Sequence, residues 1–148
     1  MKTIFDEATR DALITRIHML NQHSAARWGE MTVSQMLRHC VLFEEMMQGK
    51  KKYKRVFMGR LFGKIALQRL IKDDSPLPRG LPTAPGFKVT GTGIDFAASR
   101  SAWTALVGDY GAVPGDWFTH LFFGRMTRDQ VGHLTYKHID HHLRQFGC

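Results

Sequence analysis

Three histidines stand within five residues near the end of the chain, in YKHIDHHLRQF, Tyr136 to Phe146. On a helix, His138 and His142 are one turn apart and share a face, about 40° from each other at roughly 100° per residue. His141 falls about 60° to the other side of His138. Two imidazoles at i and i+4 can hold one divalent ion between them. The same residues could instead form a solvated helix end, where histidine is favoured by the macrodipole.

A third imidazole strengthens the metal reading. Thr32-Val33-Ser34-Gln35 and Thr127-Arg128-Asp129-Gln130 both read as capping boxes, in a shared pattern G-x-M-T-x-x-Q. His39 follows the first cap by seven residues and His138 follows the second by eleven. The two counts differ by about one helical turn, so the residues have similar helix phases. Packed side by side, the two helices would bring His39 to His138 and His142. The alternative for His39, between Leu37 and Cys40, is a core histidine bonded to a carbonyl. A three-histidine set leaves positions for water or substrate, as catalytic sites do. Neutral imidazoles suit Zn, Ni, Fe or Mn. Gln35, one turn before His39, or Gln145, three after His142, could bond a ligand's outer nitrogen. Both could equally be plain polar helix residues. His18, His23 and His133 receive no role.

The elements that would position these residues are helical. Asp6 to Leu20 places Ala8, Ala12, Leu13, Ile17 and Leu20 on one face. From Thr32, Met36, Leu37, Cys40, Phe43, Met46 and Met47 build a second apolar face, and Gly49 ends it. Val56 to Ile71 reads as a shorter helical segment. The Pro- and Gly-rich stretch Asp73 to Gly93 reads as a long surface crossover. Ile94 to Tyr110 turns Phe96, Ala97, Trp103, Leu106 and Val107 inward. GAVPGDWFTHLFFG breaks the pattern before a last helix from Thr127 to about Phe146. No long β-branched alternation occurs, so the expected fold is all-α: a bundle of four principal helices with one long crossover, in a single domain over residues 1–148.

The 148 residues carry 21 Lys and Arg against 13 Asp and Glu, a net charge of +8 with neutral histidines. Such a surface attracts nucleic acid, anionic lipid or acidic substrates. The densest cationic run is Lys50 to Arg55, with Tyr53 inside it. No apolar run reaches the roughly 20 residues of a membrane span, and acids near the start argue against a signal peptide. A cytoplasmic location with no membrane partner is expected. Two cysteines, Cys40 and Cys148, make no disulfide framework. Cys40 reads as a buried hydrophobe and Cys148 as a frayed terminal thiol. Phe57, Leu61, Phe62 and Ile65 could support a homodimer.

The segment W-G-x-M-T-x-x-Q-M-L-x-H, Trp28 to His39, together with Y-K-H-I-D-H-H-L-R-Q-F, resembles the DinB/YfiT-like superfamily, and within it the DUF1569 branch. The resemblance implies an up-down-down-up four-helix bundle with a long crossover between its second and third helices. It also implies a metal on His39, His138 and His142. His120-Leu121-Phe122-Phe123-Gly124 is similar to a His-Pro-x-x-Gly element of the branch, with leucine where proline is expected. His120 is then an additional pocket residue, or a loop histidine capping the last helix. Wider members include transferases that use low-molecular-weight thiols, which makes metal-dependent thiol transfer or hydrolysis of a small molecule the expected chemistry. The competing expectation is a binding module that uses Lys50 to Arg55 for nucleic acid or other anions. No helix-turn-helix or zinc-finger spacing supports nucleic acid as the partner.

Overall fold

The computed structural model describes residues 1–115 and 117–148, with Trp117 described in its backbone alone. Among them are five α-helices: α1 (Glu7–Met19), α2 (Val33–Met47), α3 (Phe57–Leu70), α4 (Phe96–Gly108) and α5 (Arg128–Gln145). Short 3-10 turns occupy Pro85–Phe87 and Asp109–Ala112. No described helix is long and apolar enough to cross a membrane.

Local chemistry sets the helix ends. Thr32 and Thr127 each accept a hydrogen bond from the amide three residues on, and Gln35 and Gln130 reach back to the cap amides. Both capping boxes are therefore complete, and each satisfies two amides that the first helical turn would otherwise leave bare. Asp6 and Asp95 cap α1 and α4 in the simpler one-bond form. Gly49, at φ 71°, turns the chain out of α2 as expected.

The core lies between α1, α2, α4 and α5. Met36, Leu37 and Cys40 of α2 are fully buried, with Leu13 and Ile17 of α1, Trp103 and Val107 of α4, and Ile139 and Leu143 of α5. Each such aliphatic side chain contributes about 1.5–3 kcal/mol relative to exposure. The small residues assigned to apolar faces do not follow: Ala8, Ala12 and Ala97 are exposed. Alanine has too little surface for burial to decide which way a helix rolls.

The all-α expectation needs a correction. The chain is mostly helical, but Trp117–His120 (β1) and Gly124–Thr127 (β2) pair as an antiparallel hairpin. It arises in the stretch that broke the helical pattern, of which Asp116 lies outside the described residues. A three-residue connection ends at Gly124, whose φ of 76° closes the turn. Burial alternates along β2, but four residues are too few for that alternation to stand out in the sequence.

Helix α3 packs on this hairpin through its glycines. A side chain on Gly59 or Gly63 would meet the Phe122 carbonyl, so their absence of Cβ permits the approach. The far end of α3 is held by Lys137 of α5, whose ammonium donates to the carbonyls of Leu70 and Asp73. The crossover after α3 is also more than a surface strap, because it buries Leu77 and Phe87. The C-terminus is tied down rather than frayed. Cys148 donates its amide to Leu143, and its carbonyl accepts from Arg16.

Candidate metal centre

Helices α2 and α5 pack against each other, and that contact brings three imidazoles together. One nitrogen from each of His39, His138 and His142 lies within 4.8 Å of the other two. The His39 and His138 Nε2 atoms are 3.2 Å apart. Two nitrogens sharing a tetrahedral zinc at about 2.0–2.1 Å would be roughly 3.3 Å apart. That pair therefore needs little movement to chelate, and the rest of the set, within 4.8 Å, would have to close in on the ion.

Hydrogen bonds fix which nitrogen of each ring is available. His39 Nδ1 lies 2.9 Å from the Phe87 carbonyl, which only accepts, so Nδ1 carries the proton and Nε2 is bare. His142 Nδ1 lies 2.9 Å from Gln145 Oε1. That amide cannot be reversed, because Gln145 Nε2 donates at 2.8 Å to the Trp28 carbonyl. His142 therefore also presents a bare Nε2. This is how proteins orient histidines toward a cation.

His138 completes the group differently. Facing a bare Nε2 on His39, its own Nε2 must carry the proton that bridges the 3.2 Å gap. Its Nδ1 is buried without a hydrogen-bond partner. A cation would replace the bridging proton, and the His138 proton would then sit on Nδ1. The donor set fits a divalent ion of borderline softness: three neutral nitrogens, two already oriented. Phe43 stacks on His138 with ring centroids 3.7 Å apart and covers one side of the site.

Burial holds all three rings in the neutral form that binds metal. His142 is pushed down to about 3, by burial first and the charge of His39 second. His138 is held well below the ordinary imidazole range, by burial and then by the neighbouring imidazoles. His39 is lowered by burial, against the opposing effect of its bond to Phe87.

The remaining candidates fall elsewhere. Gln35 bonds its own cap and the Gly91 carbonyl, while the ring nitrogens of His39 face Phe87 and His138. The groups behind the clustered rings are thus Gln145 and the Phe87 carbonyl, and Gln35 serves the helix start. His120 ends β1, and its Nδ1 accepts from the amides of Phe122 and Phe123 at 3.0 and 3.2 Å. It fastens the hairpin turn rather than capping α5. Burial and the Arg55 guanidinium press it to about 4. Its ring lies 6.4 Å from that of Phe43, which stacks on His138, and its charge acts on His138, although it is not one of the three clustered imidazoles. His141 bonds the Leu77 backbone and meets Trp28 edge-on. His133 bonds the Lys2 carbonyl, and His18 and His23 lie on the surface. Phe87 had one signal in the sequence: a lone large aromatic in a Pro- and Gly-rich loop.

No curated protein and no solved structure matches this chain. A family model described as "Protein of unknown function (DUF1569)" matches residues 5–147. The match takes in both capping boxes, the hairpin and all three clustered histidines, and the chain belongs to the DUF1569 family.

Proposed function

We propose that His39, His138 and His142 hold a divalent metal ion, and that the protein is a metal-dependent transferase or hydrolase acting on a small molecule. The observation that carries this reading is the pair of fixed tautomers: His39 and His142 each spend Nδ1 on an acceptor and turn a bare Nε2 toward one point. A core histidine needs no second imidazole opposite its lone pair.

An ion held there supplies Lewis acidity, which makes a water or a small thiol nucleophilic near neutral pH. The chain's residues prepare that chemistry. Gln145, itself held by the Trp28 carbonyl, locks His142. Phe87 locks His39. Phe43 keeps water from one face of His138. A low-molecular-weight thiol is the substrate class we favour, since three neutral ligands leave the ion's double charge for an anion.

The same reading extends to architecture. We place the chain with the DinB/YfiT-like bundles in an up-down-down-up order. In support, α1 touches α4 and α5, and α2 touches α4 and α5. The long connection falls between α2 and α4, with α3 inside it.

The deciding experiment is metal per chain by elemental analysis of untagged protein, for wild type, His39→Ala and His138→Ala. About one metal per wild-type chain, lost in both variants, is expected. A chain that stays empty after refilling with Zn, Ni and Mn would end the metalloenzyme reading.

A further inference from the structure

Charge is distributed unevenly along this chain. Between Lys50 and Lys72 there are nine Lys and Arg and no acid. The rest of the chain has twelve Lys and Arg against thirteen acids. The whole net charge of +8 is therefore the property of one segment, the run before α3 and α3 itself.

The same segment carries the largest group of exposed hydrophobic side chains. Phe57, Met58, Leu61, Phe62 and Ile65 are 71, 55, 56, 52 and 52% exposed. At about 100° per residue they fall in one stripe roughly 140° wide. Gly59, Gly63 and Leu67 point the other way and are buried against the hairpin side. Arg60 and Lys64 border the stripe, Arg69 and Lys72 lie at its far end, and the Lys50–Arg55 run leads into it. Lys50, Lys51 and Lys72 are paired with Asp109, Glu45 and Asp73, which leaves Lys52, Lys54, Arg60 and Arg69 as exposed cations without an acid among the described residues.

We infer that α3 and the cationic run before it form a docking surface for an anionic lipid bilayer. An amphipathic helix with large apolar residues on one face and Lys and Arg around it lies in the plane of such a surface. The cations meet the headgroups and the five side chains enter the acyl boundary. The helix crosses nothing, in keeping with its length of 14 residues. Charge decides against a second copy of the chain, because two α3 stripes face to face would crowd cations on cations. Nucleic acid would use the cations but gives the Phe57–Ile65 stripe no function.

The test is co-sedimentation of the full-length protein with vesicles of equimolar phosphatidylglycerol and phosphatidylcholine, or of phosphatidylcholine alone. Binding to the anionic vesicles is expected, with little to the neutral ones. Each cation near such a surface contributes about fivefold in partitioning, so Lys52→Gln/Lys54→Gln/Arg60→Gln should weaken binding about a hundredfold. Leu61→Ser/Ile65→Ser should weaken it as well while leaving the melting temperature unchanged, since both side chains are already exposed. Equal binding to both vesicle types, or none to either, would overturn the proposal. So would a dimer in sedimentation velocity that Leu61→Ser/Ile65→Ser dissolves, which would assign the stripe to a second copy. Salt-steep binding to duplex DNA that Leu61→Ser/Ile65→Ser leaves intact, with no vesicle binding, would assign the cations to nucleic acid.

Discussion

Glu44 offers the sharpest test of the interior. It is fully buried on α2, and its Oε2 accepts from the Tyr110 hydroxyl at 2.5 Å. Its Oε1 is buried with no hydrogen-bond partner. No cation bonds it. Burial pushes its carboxyl up to about 8, against smaller lowering effects of Tyr110 and Trp103. The group is therefore a neutral acid in the folded protein near pH 7 and an ionised carboxylate in the unfolded chain. A raised native pKa means that the native state holds more protons, so stability must fall as pH rises. The contribution is complete below about 4.5 and is lost on the way to about 8. Each pH unit in that window costs about 1.4 kcal/mol. Histidines act in the opposite sense: His142 and His120 bind protons only when unfolded, and they raise stability as pH rises. At pH 6.5 the unfolded histidines are still half protonated, and His39, His138 and His141 are lowered as well, so their gain continues to about pH 7.5 and offsets the loss at Glu44. The Glu44 effect is therefore read as a difference between two proteins that share those histidines. Glu44→Gln keeps an acceptor for Tyr110 and removes the titration. Between pH 6.5 and 8 the wild type should lose roughly 1.5–2 kcal/mol relative to that variant, or about 5 °C in relative melting temperature, in urea unfolding at pH 6.5, 7.2 and 8. A difference that does not change with pH would refute the assignment of a neutral Glu44.

Other substitutions separate the roles of neighbouring residues. Gln145→Leu should weaken metal affinity by about 10–100-fold, the usual cost of losing the group behind a ligating histidine, read by competition with a chromophoric chelator. Gln35→Ala should leave that affinity unchanged and lower stability by about 1 kcal/mol through its capping box. Gly59→Ala should destabilise by about 1–3 kcal/mol despite the better helix propensity of alanine, because the new methyl meets the Phe122 carbonyl; a rise in melting temperature would contradict the close approach. If metal binds only the folded chain, a hundredfold excess over Kd should add about 2.7 kcal/mol, and chelation should remove it.

Much of this arrangement is legible in the sequence for local reasons. A capping box is a four-residue motif with its own hydrogen bonds, so Thr32 and Thr127 mark helix starts without help from tertiary structure. The helix phases of His39, His138 and His142 then follow from counting. What fails is whatever depends on partners distant in sequence. Gln35 and Gln145 have similar local credentials, yet one is claimed by its own helix cap and Gly91, and the other by Trp28 and His142. Phe87 sits 48 residues from His39, and nothing near it announces a metal site. The hairpin is hidden for another reason: its four-residue strands are specified by the turn at His120 and Gly124 rather than by alternation along the strands.

Charge neutrality links the two polar clusters of this interior and bears on the chemistry. His39 and Glu44 are five residues apart on α2, about 140° around the helix, so they face different sides of the core. One side holds three neutral imidazoles and the other a neutral carboxylic acid. Neither supplies a negative charge near pH 7. The charged groups that act on the histidines are mostly cations: Arg55 on His120, and Arg79 and Arg144 on His141, where Asp140 is the single opposing acid. A divalent ion entering the site would thus bring two charges that its protein ligands do not balance, in surroundings where uncompensated charge is costly. An anion must follow it. A chloride, a carboxylate, a hydroxide or a thiolate would each serve, and the last two require a proton to leave on binding. In buffers free of chloride and carboxylates, metal uptake measured by calorimetry at different ionisation enthalpies should therefore release protons, none of them from the three histidines, which are already neutral at pH 7. Thiol added in excess should tighten uptake and increase that release. Uptake without proton release, and indifferent to thiol, would mean that the ion takes neither hydroxide nor thiolate and that thiol activation is not what this site does.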